Sequence, residues 1–408
     1  MAKKFKLVQT SDGKNYLLPF VLITTLFFLW GFAHSILDVL NKHFQDALGI
    51  SKPRSALVQA VVYGGYFLMA LPAGSIIRRF GYRIGVLTGL VLYGLGALLF
   101  IPGGRLMSFE FFLFSLFIIG CGLTCLETAA NPYVTVLGDK ESAERRINFS
   151  QSFNGLGWIC GPLVGGLFLF SGNGNDGGNI SMPYAIIGCV VLLVAIAFSR
   201  ARLPEAKEEE IPAAGQEASE SARPLWSHRH FTVGLTALFL YVAAQTGINS
   251  FFINYATENA SLSARDASIL LSFIGMGLFM AGRMIGSWAM SRIRAERLLQ
   301  GCALGAVIAM AVILAADGTA GLVAFFLCFL CESIMFPTIF ALSIRGLGAH
   351  TKRASSFLIM SIVGGALAPV SMGYIADHTS IAWAFVIPML CFAFILCFAT
   401  RYRKLIRR

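Results

Sequence analysis

Residues 17–41 read LLPFVLITTLFFLWGFAHSILDVLN, and Asp38 is the only charged residue in the run. A helix needs about 20 mainly apolar residues to cross a bilayer, so this stretch is long enough to span. Lys3, Lys4 and Lys6 precede it, as the basic region of a signal peptide would. The run is too long for that reading, however, and no small-residue cleavage site closes it. It reads as a first permanent span.

Eleven further runs follow, at roughly 55–77, 84–102, 109–136, 147–171, 183–200, 231–256, 267–290, 298–316, 320–345, 354–375 and 382–400. None shows the alternating pattern of a barrel strand. The expected fold class is therefore all-α integral membrane, with twelve transmembrane helices. Composition agrees. Of the 408 residues 56% are hydrophobic and 13% charged, against about 25% charged in a soluble domain, and the mean hydropathy is +0.72.

The net charge of +11 could suggest a nucleic-acid partner. The positions of the charges argue against one, because they form short clusters between apolar runs. With the N-terminus inside, 26 Lys and Arg residues fall on the cytoplasmic side, and five (Lys42, Lys52, Arg54, Arg105 and Arg265) fall outside. The positive-inside rule then places both ends in the cytoplasm. All nine cysteines lie in apolar runs and read as small packing residues.

The expected layout is a cytoplasmic arm (1–16), a six-helix bundle (17–200), a Glu-, Ala-, Pro- and Ser-rich linker (201–230), a second six-helix bundle (231–400) and a basic tail (401–408). The two bundles resemble each other weakly. GYFLMALPAG at Gly65–Gly74 is matched by GLFMAGRMIG at Gly277–Gly286, and ETAANP at Glu127–Pro132 by ESIMFP at Glu332–Pro337. Internal repeats of this kind mark secondary transporters.

Three acids sit deep in the spans: Asp38, Glu127 and Glu332. An acid in a bilayer is costly unless neutralised or solvated, so each is a candidate functional group. Burial favours the neutral carboxyl, and an acid exposed to each side in turn can take up and release a proton. Asp38 is the first candidate for proton coupling. Its plain alternative is an ion pair with Lys42, four residues on. The repeat puts Ser250 at the equivalent point of the second half. His34, one turn before Asp38, is a candidate modulator of its titration.

Glu127 and Asn131 share a face of the fourth span, next to Pro132. Gln151 and Asn154 lie one turn apart in the fifth. Gln59 in the second span and Gln245, Asn249 and Asn254 in the seventh complete the candidate substrate-binding set. Amides and carboxylates suit a polyol, since each can bond hydroxyls. They also serve as interhelical ties. Tyr255 and nearby phenylalanines could stack on sugar faces. Arg283 and Glu332 read as a structural charge pair. Gly155, Gly157, Gly161, Gly165 and Gly166 in the fifth span, and Gly364 and Gly365 in the eleventh, would let helices approach closely.

The runs FFLWGFAHSILDVLNKHF, LVQAVVYGGYFLMALPAG, CLETAANPYVTVLG with NFSQSFNGLG, and FPTIFALSIRGLG with TKRASSFLIMSIVGGA closely resemble the fucose–galactose–glucose:proton symporters of the major facilitator superfamily. The likeness runs from about residue 17 to 400. It implies two pseudo-symmetric six-helix bundles and sugar–proton symport by alternating access. It also implies proton-coupling and sugar-recognition roles for Asp38 and Glu127, and a place in the cavity wall for Gln151 and Asn154. One departure is Arg78, which stands where the superfamily's loop between spans two and three usually carries an acid. Asn254 resembles the glucose/galactose branch.

The expected function is import of a hexose or deoxyhexose such as L-fucose, galactose or glucose. The coupling ion is a proton, and no cofactor or metal is expected. The partners are the sugar and the lipid bilayer, without nucleic acid. The expected state is a monomer in a bacterial inner membrane. A sodium-coupled or uniport carrier and a non-transporting membrane sensor are the alternatives, and no nucleophile–base pair points to an enzyme.

Overall fold

The computed structural model describes residues 16–135, 137, 143–170, 181–201, 224–290, 292–316, 318–347 and 350–406. Among these, twelve helices are long and apolar enough to cross a membrane. They are α1 (Leu17–Leu48), α2 (Lys52–Ile77), α3 (Arg79–Leu106), α4 (Phe109–Asn131), α5 (Phe149–Leu169), α6 (Ser181–Arg200), α7 (Arg229–Asn259), α8 (Ala264–Met290), α9 (Ala295–Ala315), α10 (Thr319–Ile344), α11 (Phe357–His378) and α12 (Ile381–Ile406). The arm, nearly all of the linker and the last two residues of the tail lie outside the described residues. Many large apolar side chains point outward, Leu71 being 74% and Met284 68% exposed. On a chain of this composition that surface suits lipid. The protein is a multi-pass membrane protein.

Every expected span is present, and most run longer than hydropathy alone suggests. α1 continues two turns past Asn41, because Lys42 and Asp46 pair at 2.8 Å across one turn. In the first turn of α3 the chain kinks at Gly81, whose φ of 83° an L side chain rarely adopts.

The chain packs as two compact units. The first comprises Met1–Ile36, Gly64–Val164 and Asn173–Glu217; the second comprises Leu37–Tyr63, Gly165–Gly172 and Ala218–Arg408.

In the first unit α1 and α5 touch along their backbones. A Cβ on Gly157 would collide with the Phe28 carbonyl, and one on Gly161 with the Ser35 hydroxyl. Asn154 Nδ2 donates to Phe27 O at 3.1 Å, and Ser35 Oγ to Gly157 O at 3.2 Å. Gly157→Val forces a branched side chain into this contact, where overpacking costs about 1–3 kcal/mol or more. The expected result is a clear loss of monodisperse protein on size-exclusion chromatography, with Gly64→Ala, where a Cβ meets nothing within 4 Å, as the tolerated control.

In the second unit Phe325 meets Phe252, Tyr255 and Phe385 edge to face, with centroids 5.0–5.2 Å apart. Tyr255 is fully buried and its hydroxyl donates to Ala316 O at 2.9 Å. Tyr255 and Phe252 therefore pack α7 against α10 and α12. They do not offer a free face to a sugar.

The two repeated prolines behave differently. In ETAANP the helix of α4 continues unbroken to Thr135. In ESIMFP, α10 breaks after Glu332 and restarts at Met335. Pro337 has no N–H, so Ser333 O, four residues earlier, loses its helical donor. Arg283 Nε takes that carbonyl at 3.4 Å, and Tyr241 OH caps Glu332 O at 2.9 Å.

Candidate functional site

In the first unit a narrow cleft is lined by Leu26, Phe27, Trp30, Leu126, Glu127, Ala130 and Asn131. Its free space in this conformation is about 10 Å³, room for about one water molecule. Its walls are α1 and α4. Leu126 and Ala130 give it an apolar floor, while Glu127 and Asn131, one turn apart, supply the polar groups. The Trp30 ring adds a flat apolar face of the kind that packs on the C–H side of a sugar.

A hydrogen-bonded set holds this wall in place. Trp30 Nε1 donates to Tyr66 OH at 2.9 Å, and His34 Nε2 lies 2.9 Å from the same oxygen. The Tyr66 hydroxyl also bonds the Glu127 carboxyl. Tyr66 thus links the cleft acid to α1 from α2. Gln151 Nε2 donates to Asn131 Oδ1 at 3.4 Å, bringing α5 to α4. His34 is stacked on Trp158, with centroids 6.1 Å and planes 13° apart. Of the expected residues, Glu127, Asn131 and Gln151 come together at or beside the cleft. Asn154 spends its amide nitrogen on the α1 backbone.

The second unit holds a separate polar cluster around Asp38, which is 4% exposed. Gln59 Nε2 donates to Asp38 Oδ1 at 2.9 Å. Lys42 is committed to Asp46. The ion pair weighed for Asp38 therefore does not form, and the acid takes a neutral amide instead. Ser250, its repeat equivalent, lies beside it, and Ser250 O accepts from Asn41 Nδ2 at 2.8 Å. One turn on, Asn254 Nδ2 donates to Gln45 Oε1 at 2.6 Å. Tyr63 and Thr246 hydroxyls are 3.2 Å apart. At the rim Lys52 Nζ reaches both Glu258 oxygens, at 2.9 and 3.0 Å. The Lys52 N–H donates to Asp377 Oδ2 at 3.2 Å.

Several site expectations change. Gln59 and Asn254 are tied into this cluster in the present conformation. Asn249 is buried, with its Oδ1 unpartnered among the described residues. Gln245 is half-buried on α7. The Arg283–Glu332 charge pair does not form: both Glu332 carboxyl oxygens lack a partner among the described residues, while Arg283 lies on Ser333 O and over the Phe279 ring at 4.9 Å. The proline break explains this, since it presents a bare carbonyl to the guanidinium.

Sequence reading missed Trp30, Tyr66, Asn41 and Gln45. Trp30, His34, Asp38, Asn41 and Gln45 recur every three to four residues along one face of α1. That periodicity was the available signal. Tyr66 carried none, because its role depends on how α2 packs on α1 and α4.

The family description Major Facilitator Superfamily matches residues 22–362. The L-fucose-proton symporter of Escherichia coli (strain K12) is 38% identical over 97% of this chain and 95% of its own length. The glucose/galactose transporter of Brucella abortus biovar 1 (strain 9-941) is 36% identical over 95% of this chain and 94% of its own. A crystal structure of the Escherichia coli fucose:proton symporter aligns with a TM-score of 0.67 at 36% identity, covering 95% of this chain and 99% of that one. With twelve spans, repeated halves and scarce buried acids, the chain belongs to the major facilitator superfamily, in the branch that holds these sugar transporters.

Proposed function

We propose that this protein is a proton-coupled symporter that imports a hexose or deoxyhexose of the L-fucose, galactose or glucose type by alternating access. The observation that carries the reading is the division of labour between two membrane acids. Glu127 borders a cleft with an amide and an indole beside it, as sugar recognition needs. Asp38 is sealed against a neutral glutamine, with no cation bonded to it among the described residues. A buried acid without a counter-ion is suited to gain and lose a proton during a transport cycle. The relatives named for sugar–proton symport and for glucose/galactose transport support the same reading.

The cluster around Asp38 adds the gating. On the orientation expected from the basic loops, Asn41–Ser250, Gln45–Asn254 and Lys52–Glu258 lie toward the external face. They tie α1 and the start of α2 to α7, holding that end shut. Opening it breaks these bonds and frees Asp38, Gln59 and Asn254 to meet water or sugar. The remaining parts of the proposal are a bacterial inner membrane, cytoplasmic termini, a monomeric carrier, no cofactor and no chemical change to the sugar.

The test is purified protein in proteoliposomes, with a pH probe and a competition panel of L-fucose, D-galactose, D-glucose, D-mannose and N-acetylglucosamine. The expected result is sugar-dependent alkalinisation of the side from which sugar enters, abolished by a protonophore. Accumulation that ignores the protonophore and follows a sodium gradient would replace proton with sodium coupling. No flux of any sugar in the panel would overturn the transporter reading.

A further inference from the structure

The mechanism above leaves one membrane acid unused. Glu332 is 0% exposed, and among the described residues neither carboxyl oxygen has a hydrogen-bond partner. It is the last residue of the first half of α10, directly before the break that Pro337 enforces. The groups around it come from four helices. On α7, Tyr241 gives its hydroxyl to the Glu332 main-chain oxygen, not to the carboxyl. On α1, Asp38 is within electrostatic reach, and it brings a like charge when ionised. On α8, Arg283 holds the neighbouring carbonyl of Ser333. On α10 itself, Cys328 and Cys331 lie alongside, the free Cys331 thiol being hydrogen-bonded in turn to that of Cys302 of α9.

Among the described residues, an ionised carboxylate in this position has no bonded cation and no donor. Leaving a buried charge unpaired costs several kcal/mol, and one proton removes that cost. Arg283 offers the alternative. It already bonds the residue next to Glu332, and its guanidinium otherwise lies over the Phe279 ring beside the break in α10. We propose that Glu332 is a second proton-binding site of this protein, occupied in this conformation, and that its proton selects between two settings of Arg283. With the proton on, Arg283 caps the Ser333 carbonyl. With the proton off, Arg283 turns to the Glu332 carboxylate and forms the ion pair that the sequence suggests. The proton moves between Glu332 and solvent and no covalent bond changes, so the step balances without a co-reactant. A bistable element of this kind, set by one proton, couples a membrane acid to the conformation of α10.

The inference deepens the proton-coupled reading, but its test needs no sugar flux. Infrared spectra of the purified full-length protein in lipid nanodiscs resolve the carbonyl stretch of a protonated carboxyl. The expected result is a band at neutral pH that is missing in Glu332→Gln, a neutral isostere that leaves the packing intact. Arg283→Gln removes the partner of the ionised form, so the band should then survive an alkaline step that erases it from the unmodified protein. A Glu332→Gln spectrum identical to that of the unmodified protein overturns the proton site. Equal alkaline loss with and without Arg283 overturns the switch. Absence of any sugar flux in proteoliposomes would sink the transporter reading and leave both spectral outcomes standing.

Discussion

Asp38→Asn is expected to abolish uphill sugar accumulation while leaving sugar exchange in place. Asparagine keeps an oxygen for the Gln59 amide, which donates to Asp38 at 2.9 Å, so the local packing survives. It cannot release a proton, so it is fixed in the equivalent of the protonated form. Exchange of internal for external sugar needs only the loaded carrier to reorient. Net uphill transport needs the acid to discharge and return empty. One proton moving down 100 mV supplies about 2.3 kcal/mol, which sustains an accumulation ratio of about 50-fold. The unmodified protein is expected to approach that ratio in proteoliposomes under an imposed potential, and Asp38→Asn to remain near unity. Counterflow rates of the two should agree within a few-fold. Full proton-driven accumulation by the variant would remove Asp38 from the coupling step.

The second large effect is expected at Glu127. Its carboxyl borders the cleft with Asn131 and is bonded by Tyr66. A hydrogen bond to a charged group is worth about 1.5–3 kcal/mol, so Glu127→Ala should weaken sugar binding by roughly 10- to 200-fold. Equilibrium binding to detergent-purified protein, measured by calorimetry, reads this without transport. Tyr66→Phe separates the acid's own contact from its support. It leaves Glu127 in place but removes the bond that orients it, so a smaller loss is expected. Equal affinity in Glu127→Ala and the unmodified protein would show that the cleft is not the sugar's site.

The two acids also show how far sequence reading reaches. Asp38 and Glu127 stand out because charge is rare in the spans, and rarity is visible without coordinates. Their partners are not visible. Lys42 was the natural candidate for Asp38 at four residues' distance, yet Asp46 stands at the same distance on the other side and takes it. Gln59, the residue Asp38 does use, lies on another helix. Tyr66 has no motif at all and is recognisable only from its bonds to Trp30, His34 and Glu127.

The sequence by itself determined that this is a membrane protein of twelve helices in two related halves, because the bilayer demands long apolar runs and little else. It also singled out the acids, since a charge in a span needs a reason. Tertiary structure decided where each acid lies and what it touches. It placed Glu127 on a cleft and closed Asp38 against glutamine. It also separated Glu332 from Arg283 by turning the guanidinium to a carbonyl that Pro337 leaves bare. The physical reason is that hydropathy depends on each residue alone, whereas a hydrogen bond depends on which helix faces arrive within about 3 Å of each other.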